Sequence, residues 1–459
     1  MLSNSRDTLQ EVHTFFQTSE SSLQLNFAKC SVQSLAEVKL TGMEILGSCL
    51  GSRQVRREFL VKKVDKLEQK IGKLVDLPHQ HSLLLLRQCI QQELRHLQRC
   101  LVSDDLVDVW TRLDRVLWDA ALRIRSAKEE DDDQAARSDI LLSLPIRLGG
   151  IGMQSYQVCA PQAYAASSEM ADRMLEPLLG PAASEPTLTD PDDPDSIARQ
   201  RTRCNKEFER LRTELFANLP DPQIKQVLES ASGLGKKWLS VVPFYQALRL
   251  SDFEISAGLH LRTLHTGSGA VCPQCGNLNE AGHAEVCVHR KRWNIARHEQ
   301  VKRAIGTALS KIEGARVTVE PEILNTRRRN DIRITGSEQS GIARHEYDVT
   351  VVSLQTRDSM ETRYPHNLSP TNPAERCHGL IGMYLGKTAK DKVSRLPAAA
   401  ANSNIGFSPL VFTVGGMMEE GTVKTLKLWQ ESVPPSAFST LWQQLSLILL
   451  RARAKSFVL

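Results

Sequence analysis

No apolar run in this chain approaches the roughly 20 residues that cross a bilayer. The first residues, Met1-Leu2-Ser3-Asn4-Ser5-Arg6-Asp7, are polar and lack the apolar segment of a secretory signal. The protein is therefore expected off the membrane and not secreted, in the nucleus or the cytoplasm. Neither sign of charge dominates: 58 Lys and Arg stand against 53 Asp and Glu, a net +5. So mild a balance does not by itself imply nucleic acid. No internal repeat is visible. The ten cysteines belong to a reducing compartment on this reading. Disulfides are then disfavoured, and a cysteine cluster points to metal.

With 459 residues and 41% hydrophobic content, the chain fits about two or three globular domains. Leu60, Val64, Leu67, Ile71 and Leu74 recur at helical spacing in residues 56–77. Leu86, Cys89 or Ile90, Leu94, Leu97 and Leu101 do so in 82–102, with Pro78 breaking the two. A third helix is expected over Val107–Leu122. Residues 144–153 (LPIRLGGIGM) read as a Gly-rich connection, and 181–196 (PAASEPTLTDPDDPDS) as a linker. Helical stretches fill about 197–264. Short β-branched runs follow at Val317–Val319, Ile332–Ile334, Tyr347–Val352 and Leu410–Val414. The chain reads as multidomain, mainly α first and mixed α/β last.

Cys272, Cys275, His283 and Cys287 have zinc-ligand spacing. A Cys-x-x-Cys turn presents two thiolates from one knuckle, and Gly276 just after it relieves backbone crowding. His289 is an alternative to Cys287 as fourth ligand. Because protein atoms can fill all four positions, Zn²⁺ here would be structural. The competing reading is a chance cluster of thiols.

Beyond it, Asn330-Asp331-Ile332-Arg333-Ile334 and His345–Val352 read as two strands joined by a polar turn. Alternation puts Glu346, Asp348 and Thr350 on one face. If the strands pair, Asp331 approaches Asp348, and two carboxylates on adjacent strands suit Mg²⁺. Lys387, Lys390 and Lys392 lie on a candidate helix, Gly382–Leu396, that could return a cation to them. Glu320 and Glu322 are further acids nearby. The ordinary alternative is a hairpin with solvated carboxylates. Arg290-Lys291-Arg292, Arg297 and Arg327-Arg328-Arg329 crowd around both motifs. On the 56–77 helix, Arg56, Arg57, Lys62, Lys63, Lys66, Lys70 and Lys73 fit a nucleic-acid face or a solvated one. Trp238, with Phe244 and Tyr245 nearby, reads as core, and the seven cysteines outside the cluster as buried thiols.

This order of knuckle, Arg297-His298, Arg-rich step, Asp331 and Glu346-Tyr347-Asp348-Val349-Thr350 resembles the C-terminal part of site-specific non-LTR retrotransposon proteins. In these a reverse transcriptase is followed by a CCHC knuckle and a restriction-like endonuclease of the PD-(D/E)XK class. Leu25–Lys29 resembles the palm segment after the polymerase site, Ile45–Gly51 the primer-grip hairpin, and the helices to about 122 the thumb. The resemblance implies a truncated palm and thumb (1–125), a connection and linker (126–196) and a helical linker domain (197–265). The knuckle (266–300) and an α/β restriction-endonuclease-like domain (301–459) complete it.

The resemblance further implies nicking of target DNA. Asp331 and Asp348 would hold Mg²⁺, Glu346 would assist, and Lys390 or Lys392 would replace the signature lysine, whose place Thr350 takes. Arg290, Arg292, Arg297, His298, Arg328 and Arg329 would grip the phosphates of target DNA or element RNA. No Tyr/Phe-x-Asp-Asp is present, so polymerase activity is not expected, and a fragment of such a protein fits best. The alternatives are a catalytically dead nucleic-acid-binding remnant and a non-functional gene fragment. Oligomeric state stays open.

Overall fold

A computed structural model describes Thr14 and residues 33–126, 132–179, 200–265, 271–272, 274–277, 283–321, 329–337, 342–365, 368–395 and 405–455. The palm-like segment Leu25–Lys29, the linker 181–196, Glu322 and Arg328 lie outside the described residues. The chain divides into two compact units, residues 1–61 and 62–459.

In the first unit, α1 (Leu35–Thr41) starts at a capping box in which Ser34 and Glu37 satisfy each other's backbone N–H groups. The antiparallel strands β1 (Met43–Ile45) and β2 (Ser48–Leu50) follow. Leu46 and Gly47 both have positive φ, 50° and 78°. Two such residues make a tight turn whose twist matches the strands, so the expected hairpin forms.

α2 (Arg53–Leu74) leads into the second unit, where Val64, Leu67, Ile71 and Leu74 are buried as their spacing predicts. The helix expected over 82–102 is interrupted. It becomes α3 (His79–Gln88), a 3₁₀ turn at Ile90–Gln92, and α4 (Leu97–Cys100). Carbonyls that a continuous helix would satisfy internally are taken by side chains. Gln91 Nε2 donates to Arg87 O at 2.6 Å, and the Tyr156 hydroxyl donates to Gln91 O at 2.5 Å. The helices α5 (Val107–Arg125) and α6 (Asp132–Ser143) come next. The Gly-rich connection then makes a 3₁₀ turn at Ile146–Leu148. A Cβ on Gly150 would lie 2.1 Å from Leu144 O, so only glycine fits there.

The helical part closes with α7 (Tyr156–Leu179), α8 (Gln200–Ala217), α9 (Asp221–Ala231), α10 (Gly233–Lys237) and α11 (Asp252–Arg262). After the short α12 (His283–Val286) comes α13 (Lys291–Leu309). The sheet follows as β3 (Arg316–Val319), β4 (Ile332–Thr335) and β5 (Arg344–Val352). Then come α14 (Arg357–Glu361), α15 (Pro373–Ser394), β6 (Gly406–Thr413), α16 (Glu420–Ser432) and α17 (Pro435–Ala454).

The protein is thus mostly helical with a small sheet near its C-terminal end. Strand order is β3-β4-β5-β6, with the first two pairings antiparallel and the last parallel. A parallel neighbour needs a crossover, and α15 supplies it between β5 and β6. Val301, Ile305, Leu309, Phe412, Trp429 and Leu445 pack with one face of the sheet. Val411 and Leu354 join Ile381 and Leu385 of α15 on the other, in a core shared with Phe208 and Ile224 of the helical part. Among the described residues no helix is long and apolar enough to cross a membrane.

Candidate functional sites

The cysteine-histidine cluster assembles. Cys272 and Cys275 come from a turn in which Gly276 N donates to Cys272 O at 2.9 Å and Gly276 takes φ +74°. His283 opens the single turn α12 and Cys287 follows it, one helical turn apart and so on one side. Cys272 Sγ lies 4.0 Å from Cys287 Sγ, and Cys275 Sγ lies 3.0 Å from His283 Nε2. All four ligand atoms fall within 4.8 Å of one another. Sulfurs bound tetrahedrally at about 2.3 Å sit about 3.8 Å apart, so the four can hold a metal such as zinc with small shifts. Burial works against the Cys272 thiolate, but backbone N–H groups of Gln274 and Cys275 hold its pKa down at about 6. His289 is exposed and outside the cluster.

The knuckle is fastened to the end of β5 and to α17 by its intervening acid. Glu285 accepts from Ser353 Oγ, just past β5, at 2.6 Å and from Arg453 Nε at 2.6 Å. Arg453 also faces Glu229 at 3.7 Å, and Glu229 accepts the N–H of Gly415 at 3.0 Å. Glu229 and Arg453 are buried, and Glu285 is partly so.

The carboxylate site forms where β4 and β5 meet. The β4–β5 register pairs Ile332 with Tyr347, so Asp331 falls opposite Asp348. Asp331 Oδ2 accepts the N–H of Val349 at 2.6 Å and contacts His298 Nε2 at 3.1 Å. Burial raises the Asp331 pKa, but His298 and Val349 outweigh it and hold the carboxyl below its usual range. Asp348 shifts the other way. Burial pushes it up, the Asp331 charge adds to the rise, and Lys392 only partly offsets it. Lys392 Nζ, in the last turn of α15, is 2.7 Å from Asp348 Oδ2. Lys387 and Lys390 are exposed on the same helix.

The other expected residues are placed differently. Glu346 is engaged by other residues, accepting from Arg333 Nε at 2.5 Å and from Asn330 Nδ2. Thr350 Oγ1 is buried with no hydrogen-bond partner among the described residues. Arg290 and Arg297, expected to hold phosphate, donate instead to Lys455 O at 3.1 Å and Val351 O at 3.2 Å. His298 belongs to the carboxylate site. Arg292 and Arg329 are exposed, the latter 3.7 Å from Glu320.

Glu299 and Lys302 were not anticipated at this site, whereas Glu320 was expected as a further acid nearby. Lys302, its side chain 1% exposed, bridges Glu299 and Glu320 at 2.7 Å each. Glu320 is held at φ +54°, with its N–H donating to Asp331 O at 2.9 Å. The i, i+3 pair Glu299–Lys302 was legible as a helix-surface pair. Its approach to Asp331 comes from the packing of α13 on the sheet. Trp238 is core, but Phe244 and Tyr245 are exposed. Cys89 and Cys100 are exposed rather than buried; Cys30 lies outside the described residues.

Against known proteins, the chain matches no family model and no curated protein.

Proposed function

We propose that the Asp331–Asp348–Lys392 constellation is a Mg²⁺-dependent endonuclease site of the PD-(D/E)XK class, cutting one strand of DNA. The chain would be the C-terminal part of a site-specific non-LTR retrotransposon protein, with no polymerase centre of its own. The observation that carries this reading is Lys392, brought by a crossover helix to Asp348 while Thr350 fills the position of the signature lysine.

The donor set suits a hard divalent ion. Two carboxylates stand opposite each other, partly shielded from water, and the raised Asp348 pKa reflects burial and then mutual repulsion that a cation relieves. Bound Mg²⁺ supplies a water of lowered pKa and neutralises charge on the scissile phosphate. Lys392, ion-paired with Asp348, is within reach of a water or phosphate oxygen at that carboxylate and can orient either one. His298 and the Val349 N–H fix the Asp331 rotamer. The Lys302 ammonium, held by Glu299 and Glu320, lowers the charge density beside Asp331. The cysteine-histidine knuckle is read as a structural Zn²⁺ site, and the exposed Arg292 and Arg329 as phosphate contacts to target DNA or element RNA.

A second reading has its own support. Asp348 and Asp331 already spend oxygens on Lys392, His298 and Val349 N, as a dead site kept for structure would. The binding-only remnant therefore stands as the alternative. The two separate in a nicking assay on supercoiled plasmid with Mg²⁺ or Mn²⁺. Cleavage by the wild type that disappears in Asp348→Ala supports the nuclease. Salt-sensitive DNA binding without cleavage by either protein supports the remnant.

A further inference from the structure

Residues 239–253 part from the burial their composition predicts. Trp238 is 4% exposed, yet Phe244 and Tyr245 stand 75% and 69% exposed, with Val242 at 46% and Phe253 at 43%. The loop that displays them is tied down. Gln80 donates to Val241 O at 3.2 Å and Leu248 O at 3.1 Å, and its Oε1 accepts Leu250 N at 2.9 Å. Arg87 Nη1 donates to Leu239 O at 2.6 Å. Arg451 Nη2 donates to Ala247 O at 2.9 Å and Arg249 O at 2.6 Å. Rings held on a fixed backbone lose little entropy when something stacks on them.

Along the stretch that carries the Phe244 and Tyr245 rings, up to Asp252, the charge has one sign. Residues 232–251 contain Lys236, Lys237 and Arg249 and no Asp or Glu. The first acids beyond are engaged. Asp252 accepts the N–H of His79 at 2.8 Å, and Glu254 closes a capping box with Ser251. Exposed apolar side chains often mark a protein interface. Here the cationic stretch 232–251, acid-free and carrying Phe244 and Tyr245, favours a polyanion with flat faces. Single-stranded nucleic acid meets both requirements, since every base has a face to stack and every nucleotide a phosphate.

We infer that the 242–253 loop is a single-strand nucleic-acid platform, with bases stacking on Phe244 and Tyr245. This rests on reading the chain as one that acts on nucleic acid, but not on a working nuclease. The test uses the full chain without divalent cations, comparing a labelled oligo-dT with an abasic oligomer of equal length by fluorescence anisotropy. The wild type should bind oligo-dT at least about tenfold tighter than the abasic strand. Phe244→Ala and Tyr245→Ala should each weaken oligo-dT binding by about tenfold and leave abasic binding unchanged. Phe244→Trp should retain it, and both rings are exposed enough for alanine to leave the fold intact. Asp348→Ala should bind like wild type, so a failed nuclease leaves this result standing. Equal affinity of the wild type for the two oligomers would overturn the inference, as would alanine variants that keep full oligo-dT binding. A change from dimer to monomer in those variants, without loss of binding, would reassign the loop to self-association.

Discussion

Lys392 Nζ lies 2.7 Å from Asp348 Oδ2, although the two residues sit on different elements separated by the whole of the β5-to-α15 connection. Asp348 is on the strand that pairs with β4, and Lys392 is in the last turn of the helix that crosses back to start β6. Under the nuclease reading, Lys392→Ala lowers the plasmid-nicking rate by about 10²–10³-fold, as removal of one preorganised charge does. Lys390→Ala, on an exposed position of the same helix, leaves the rate within a few-fold. Equal effects of the two substitutions would remove Lys392 from the site.

The knuckle is expected to bind one equivalent of zinc. Cys272→Ser or Cys287→Ser should release it, as read by elemental analysis of the dialysed protein. Gly276→Ala should keep the metal at a cost of about 1 kcal/mol. Its φ of +74° disfavours a side chain, while the space around it is open. Gly150→Ala should be far worse, because its Cβ would meet Leu144 O at 2.1 Å.

Arg453 neutralises the buried Glu229 and the part-buried Glu285, so removing it is costlier than removing either one. Arg453→Met should destabilise by about 3–5 kcal/mol in urea unfolding, leaving Glu285 and Glu229 uncompensated. Glu285→Gln should cost less, since Arg453 keeps Glu229 as its partner. The Glu285 change should also raise hydrogen exchange at residues 351–353 while zinc stays bound. Unchanged exchange there would separate the knuckle from the sheet.

Asp114 gives a pH dependence of known sign. Burial pushes its carboxyl up to about 6, against the hydrogen bonds it accepts from Ser155, Tyr156 N and Gln157 N. Its folded pKa lies above the ordinary value of 3.8. The folded state therefore binds the extra proton, and that stabilisation is complete below about pH 4 and lost as pH rises through 6. The difference amounts to at most about 3 kcal/mol. Melting temperatures across this window should fall with rising pH through this group. Asp114→Asn should flatten that slope, while lowering stability throughout by leaving one donor of the α7 N-terminus unsatisfied.

Much of this was legible in the sequence because it is local. The 3–4 spacing in 60–74 specified a helix whichever partner buried it, and two strands with a polar turn specified β4 and β5. Cys272-x-x-Cys275 with His283 and Cys287 one helical turn apart carried a metal knuckle in its spacing alone. Antiparallel pairing of β4 with β5 was enough to anticipate Asp331 opposite Asp348.

The tertiary structure decided the rest, because long-range packing sets which partner a side chain meets. Periodicity continues a helix to 102, but it is interrupted after Gln88, and Tyr156 takes the Gln91 carbonyl there. The β5–α15–β6 crossover brings Lys392 rather than Lys390 to Asp348, a choice of helix face that no spacing contains. Glu346 and Arg297 carry the residue types of a site, yet Arg333 and the Val351 carbonyl capture them first. Trp238 and Phe244 stand six positions apart in one apolar segment. Only the fold, by pinning residues 239–250 to Gln80, Arg87 and Arg451, buries the first and leaves the second in water.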